Sequence, residues 1–185
     1  MDAAMEANRI PPVNKRLCRA AAALAAASVI AFIGGNAARW LVPEWTEMAA
    51  REASHMLTEP LFITPLVRWV GLGVSTLYLG VLAWGLLSMR TLFKRLAVGE
   101  VFVEETGVLL RRFGKALLAY AALTPVVRSA MSSLVTHNPV KHEMFVSFGI
   151  SEHEVVVALI GVLILAFGSV MADATRIADE NREII

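Results

Sequence analysis

At 185 residues, with 57% hydrophobic and 18% charged side chains, the chain is far more apolar than an ordinary soluble domain of its size. A formal net charge of +1, with basic residues gathered at the borders of apolar runs, excludes a general nucleic-acid binder. The lone cysteine, Cys18, excludes a disulfide framework and the Cys/His spacings of zinc sites.

The apolar residues fall in blocks of the length that crosses a bilayer, roughly 20 helical residues each. Met1–Arg19 is polar, is broken by Pro11 and Pro12, and ends in Lys15, Arg16 and Arg19. The first span is expected at 17–42, alanine-rich at its start and closed by Trp40, an interface residue. Its basic lead, apolar core and small Gly35 and Ala37 also fit a signal peptide. The long polar lead and a helical pattern that runs on to Trp40 favour a retained span.

An outer loop is expected at 43–65. Pro43 at a first-turn position, with Trp45, Met48 and Met56 at near-helical spacing, reads as a short surface helix, with a solvated loop as the alternative. Thr64 and Pro65 form a cap and first helical residue for the second span, 66–89. Arg68 can snorkel at its outer end. Gly71, Gly73, Ser75, Gly80 and Gly85 are small enough for close helix packing in lipid.

The central segment 90–112 carries Arg90, Lys94, Arg95, Arg111 and Arg112, and Lys115 follows at the start of the third span, 113–135. A turn is expected around Gly99 and a new helix near Glu104 and Glu105, whose carboxylates suit a positive helix N-terminus. A helix from there to Val135 outruns the bilayer, so its first turns should stand clear of it. Thr124 and Pro125 predict a kink. A second outer loop, 136–154, ends in Ser151 and Glu154 at capping-box spacing. The fourth span, 155–172, places Gly161 and Gly168 on one face, and the charged tail 173–185 reads as a helical extension.

Orientation follows from the bases. Of the Lys and Arg residues, Arg39, Arg51, Arg68 and Lys141 fall in outer segments and Arg128 inside a span; all others lie in the N-terminal, central and tail segments. The positive-inside rule therefore puts both termini and the central segment in the cytoplasm.

Arg128 is the intramembrane charge, which marks a functional candidate unless it snorkels. Asn36, Glu59 and Glu154 are its candidate partners. His55, His137, His142 and His153 all fall on the outer side beside glutamates. Their spacings match no known metal site, so no metal is expected. His137, His142 and His153 are the residues that would hold one if the loops met. Motifs for metalloproteases, serine hydrolases and phosphate loops are absent, and so are paired acids or Ser/His sets within the spans. Neither an enzyme nor a cofactor is expected. A transporter should show several broken helices and internal repeats, and the Thr124–Pro125 step is the one break.

Phe93–Leu96, Gly99–Phe102, Glu104–Glu105, Leu109–Gly114 and Ile177–Ile185 together resemble the bacterial membrane family catalogued as domain of unknown function 2975. The resemblance spans Leu92 to Ile185, with the first two helices similar only in placement. It implies four membrane helices, no established activity, and a small helix-turn-helix regulator encoded nearby.

The expectation is an all-α, polytopic bundle of four transmembrane helices in a bacterial inner membrane, non-enzymatic and regulatory. Its cytosolic face would hold a small helix-turn-helix regulator through Leu92, Lys94, Arg95, Phe102, Arg111, Arg112, Ile177 and Arg182. Direct nucleic-acid contact is not expected, and self-association is left open. The alternatives are a small transporter or channel subunit using Arg128, or a membrane structural or assembly protein. The apolar residues of the central segment could instead pack the helix ends against one another.

Overall fold

A computed structural model describes residues 12–54, 63–99, 104–136 and 149–182. The secondary-structure elements among them are helices: α1 (Pro12–Leu41), α2 (Pro43–Ser54), α3 (Pro65–Val98), α4 (Glu104–Thr136) and α5 (Glu152–Arg182). Helices α1, α3, α4 and α5 are long and apolar enough to cross a membrane. Their 30 to 34 residues rise about 45–51 Å, well beyond the roughly 30 Å hydrocarbon core. The chain is a polytopic, all-α membrane protein.

Local chemistry sets the helix limits. Thr64 caps α3 by accepting a hydrogen bond from the Val67 N–H at 3.3 Å, and Pro65 fills the first turn, where no N–H is needed. At the other end Gly99 adopts φ 104°, a left-handed conformation open to glycine, and its N–H reaches the Arg95 and Leu96 carbonyls. The turn expected from Gly99 is thus present, although α3 first continues helically through Arg90–Val98. Ser151 precedes α5, and its N–H is bonded by the Glu154 carboxylate, one half of a capping box. Helix α4 runs on through Pro125.

Between α1 and α3, between α3 and α4, and between α4 and α5 the helices pack along their lengths. Each contact is made where glycine removes a side chain. The Trp40 indole of α1 lies over Gly71 of α3, where an added Cβ would sit 2.1 Å from Trp40 Cη2. Gly85 of α3 receives Ala116 and Phe113 of α4. On α4 and α5 two glycine pairs face each other, Gly107 with Gly168 and Gly114 with Gly161. The pairs are two turns apart and run in opposite chain directions, so the antiparallel helices meet backbone to backbone. In lipid, where apolar side chains gain nothing by leaving the solvent, such close packing is a main source of helix association. The exposed large side chains, Ile30, Leu77, Leu159 and Phe167 among them, suit the bilayer.

Helix α2 is the short helix expected from Pro43 and Trp45. One residue, Val42, separates it from α1, and α2 leans on both α1 and α4. Thr46, 2% exposed, donates its hydroxyl to the Arg39 carbonyl at 2.7 Å, which satisfies an acceptor left over at the end of α1.

Candidate functional site

The two ends of the helix assembly differ in chemistry. At the Gly99 end, Met89, Leu92 and Leu109 are buried together, with Phe93, Leu96, Leu110 and Phe113 packed around them. This apolar cluster joins the end of α3 to the start of α4, and Arg95 forms an ion pair across the same junction with Glu105. Of the residues expected to meet a partner, Leu92 is 5% exposed and packs helix ends, the alternative that the sequence also allowed for the apolar residues of this segment. Lys94 and Arg112 are exposed, as is Ile177, and Arg95 is partly so. Arg111 lays its aliphatic stem against Gly168. Phe102 and the Arg182 side chain lie outside the described residues.

At the opposite end, near α2, Arg128 donates from Nη2 to Glu154 Oε1. Among the described residues Glu154 is its partner; Glu59, another of the candidates, lies outside them. The pairing is local in origin: Ser151 opens α5, and its N–H and Oγ both donate to Glu154 Oε2, which leaves Oε1 for the arginine. Glu154 is 4% exposed and Arg128 39% exposed, so the carboxylate is sequestered and the cation is held at an edge. Asn36 turns elsewhere and donates to Thr76 Oγ1 at 3.0 Å, tying α1 to α3. His153 is exposed. His55, His137 and His142 lie outside the described residues, within which no group of three His, Cys, Asp or Glu side chains could hold a metal.

Arg128 also lines a cavity of about 490 Å³ bounded by α1, α3 and α4, with Thr46 of α2 at its edge. Its lining includes Phe32, Leu79 and the stacked rings of Tyr78 and Tyr120, whose centroids are 4.6 Å apart. The Thr124 hydroxyl is committed to the Tyr120 carbonyl at 2.8 Å, so the Tyr78 hydroxyl donates to Thr124 Oγ1 at 2.6 Å. Towards α2 the wall becomes polar, with Asn36, Arg39, Thr46, Arg128 and Ser132.

Sequence reasoning missed the tyrosine pair. The signal was present: the chain has two tyrosines, and both lie inside spans, where a phenol needs a hydrogen-bond partner.

No curated protein and no solved structure matches the chain. A family model does match, over residues 48–185. The match takes in all of α3 as well as α4 and α5, so the likeness begins well before Leu92 and includes the second span. The chain belongs to the family described as protein of unknown function (DUF2975).

Proposed function

We propose that this protein is a non-enzymatic regulator in a bacterial inner membrane, with both termini and its Gly99 end in the cytosol, where it holds a small soluble protein. The observation that supports this reading is the exposed basic rim of the Gly99 end. Lys94 and Arg112 stand clear of a buried Met89–Leu92–Leu109 cluster that fixes the two helices carrying them. Charges on a rigid support lose little entropy when a partner binds. The positive-inside distribution gives the orientation. A helix-turn-helix transcription regulator is the partner suggested by the family resemblance.

Affinity capture of the detergent-extracted protein tests this, comparing the native chain with Lys94→Glu/Arg112→Glu, two exposed positions that the fold does not need. A small soluble protein recovered with the native chain and lost with the double variant is the expected result. Equal recovery from both rules out the basic rim as the dock. A second reading, a small transporter or channel subunit using Arg128, draws on the cavity that Arg128 lines. For that reading, Arg128→Ala should alter solute flux in vesicles.

A further inference from the structure

The cavity near α2 has the build of a ligand site. Helix α3 forms its back, α1 and α4 its two walls, and α2 crosses its outer end, since α2 packs on both α1 and α4. Helices α1 and α4 are not among the pairs that pack extensively along their described residues, so the cleft is unsealed on the side away from α3. The α1 residues on that side, Ala31, Phe32 and Gly35, are exposed. All three belong to a span, so this opening faces the bilayer. A volume of about 490 Å³ lies within the range of small-molecule sites, about 300–1,000 Å³.

Polarity changes along the cleft. Away from α2 the lining is apolar and aromatic, with Leu79 and the tyrosine stack, and with Phe32 at the lateral opening. The part beneath α2 holds two guanidinium groups, Arg39 and Arg128. The Glu154 carboxylate is taken up by Arg128 and Ser151, and Arg39 has no ion pair among the described residues, although Glu44 and Glu47 follow it closely in the chain. Among the described residues, one guanidinium at the mouth is thus without a carboxylate. A guanidinium there can grip a carboxylate or phosphate in a two-pronged way.

We propose that this cleft binds a single-chain anionic amphiphile taken from the bilayer, its acid head at Arg39 and Arg128 and its chain between α1 and α4 over the Tyr78–Tyr120 stack. Lateral opening, an apolar floor and a cationic mouth together fit a molecule with one tail and one negative head. The inference stands apart from the reading of the Gly99 end and survives if that reading fails.

The test uses the full-length protein in detergent and native mass spectrometry with three probes: oleate, palmitoyl-lysophosphatidylcholine and inorganic phosphate. The native chain should retain one oleate and no lysophosphatidylcholine, whose head is zwitterionic, and phosphate should not displace the oleate. Arg39→Gln should weaken oleate retention at least tenfold. Gly35→Phe should abolish it, because nothing lies within 4 Å of a Cβ at Gly35 and the ring can fill the cleft without disturbing the packing. Circular dichroism confirms that both variants remain helical. Oleate retained equally by native, Arg39→Gln and Gly35→Phe proteins would overturn the site. Equal retention of lysophosphatidylcholine would overturn the anionic head, and displacement by phosphate would overturn the membrane source.

Discussion

Gly114 of α4 and Gly161 of α5 face each other so closely that a Cβ on Gly114 would lie 2.9 Å from the Gly161 carbonyl oxygen and 2.8 Å from the Leu165 nitrogen. Both are backbone atoms in the middle of a helix, which no rotamer change can move aside. Gly114→Val should therefore force α4 and α5 apart. A loss of about 1–3 kcal/mol is expected, the usual cost of overpacking. Gly73→Ala and Gly80→Ala, in the open space around α3, should leave the melting temperature in detergent unchanged or slightly raised, since alanine favours helix. A melt that fails to separate Gly114→Val from these controls would refute the glycine seam.

The pairing of Arg128 with Glu154 makes a second prediction. Removing the arginine leaves a carboxylate that is 4% exposed without its cation, and removing one partner of a buried pair costs about 3–5 kcal/mol. Arg128 is itself 39% exposed, so the lower end of that range applies. Arg128→Gln should destabilise strongly, and Glu154→Gln less, because the guanidinium can turn towards the headgroups. The double variant should be no worse than Arg128→Gln alone. Thermal unfolding of the three variants measures the coupling, and additive losses would show that the two side chains do not act as a pair.

Some of this was legible in the chain. Gly161 and Gly168 could be placed on one helix face by spacing, and Ser151 with Glu154 could be read as a capping box. Both features are local, fixed by the 3.6-residue period and by cap chemistry. The partners across the helices were not legible, because periodicity says which face is special and leaves open what it meets. Glu154 was one of three candidate partners for Arg128, and only the α4–α5 packing separates it from Asn36, which bonds Thr76. For a related reason Leu92 stayed open between a surface patch and the packing of helix ends. An apolar residue in a basic segment suggests a surface patch, but α3 continues past the expected end of its span and turns Leu92 inward against Leu109. The cleft beneath α2 depends on α1 and α4 lacking an extended contact, a property of the assembly with no sequence signature.

At the Gly99 end, the apolar cluster and the ion pair should contribute unequally. Arg95 and Glu105 are 35% and 58% exposed, and an exposed pair of this kind contributes about 0–1 kcal/mol. Leu92 is 5% exposed among Met89, Leu109 and their neighbours, and truncating such a leucine costs about 2–5 kcal/mol. Leu92→Ala should lower the melting temperature clearly while Glu105→Gln hardly moves it. If Leu92→Ala instead melted normally and lost a captured protein, Leu92 would be a contact residue after all.

The orientation that places the basic rim in the cytosol can be tested with single cysteines. Cys18 is the sole native cysteine, so Cys18→Ser gives a clean background. Val98, 76% exposed, lies beside Gly99 at one end, and Ile150, 68% exposed, precedes α5 at the other. Neither is packed in a cluster, so Val98→Cys and Ile150→Cys should fold normally. With a membrane-impermeant maleimide on spheroplasts, Ile150→Cys should label at once and Val98→Cys only after the membrane is opened. That pattern keeps Lys94 and Arg112 on the side where a transcription regulator could reach them. The reverse would put the basic rim outside the cell and rule out a cytosolic regulator at that surface. The amphiphile cleft would then open to the inner leaflet, and its oleate test would still read the same site.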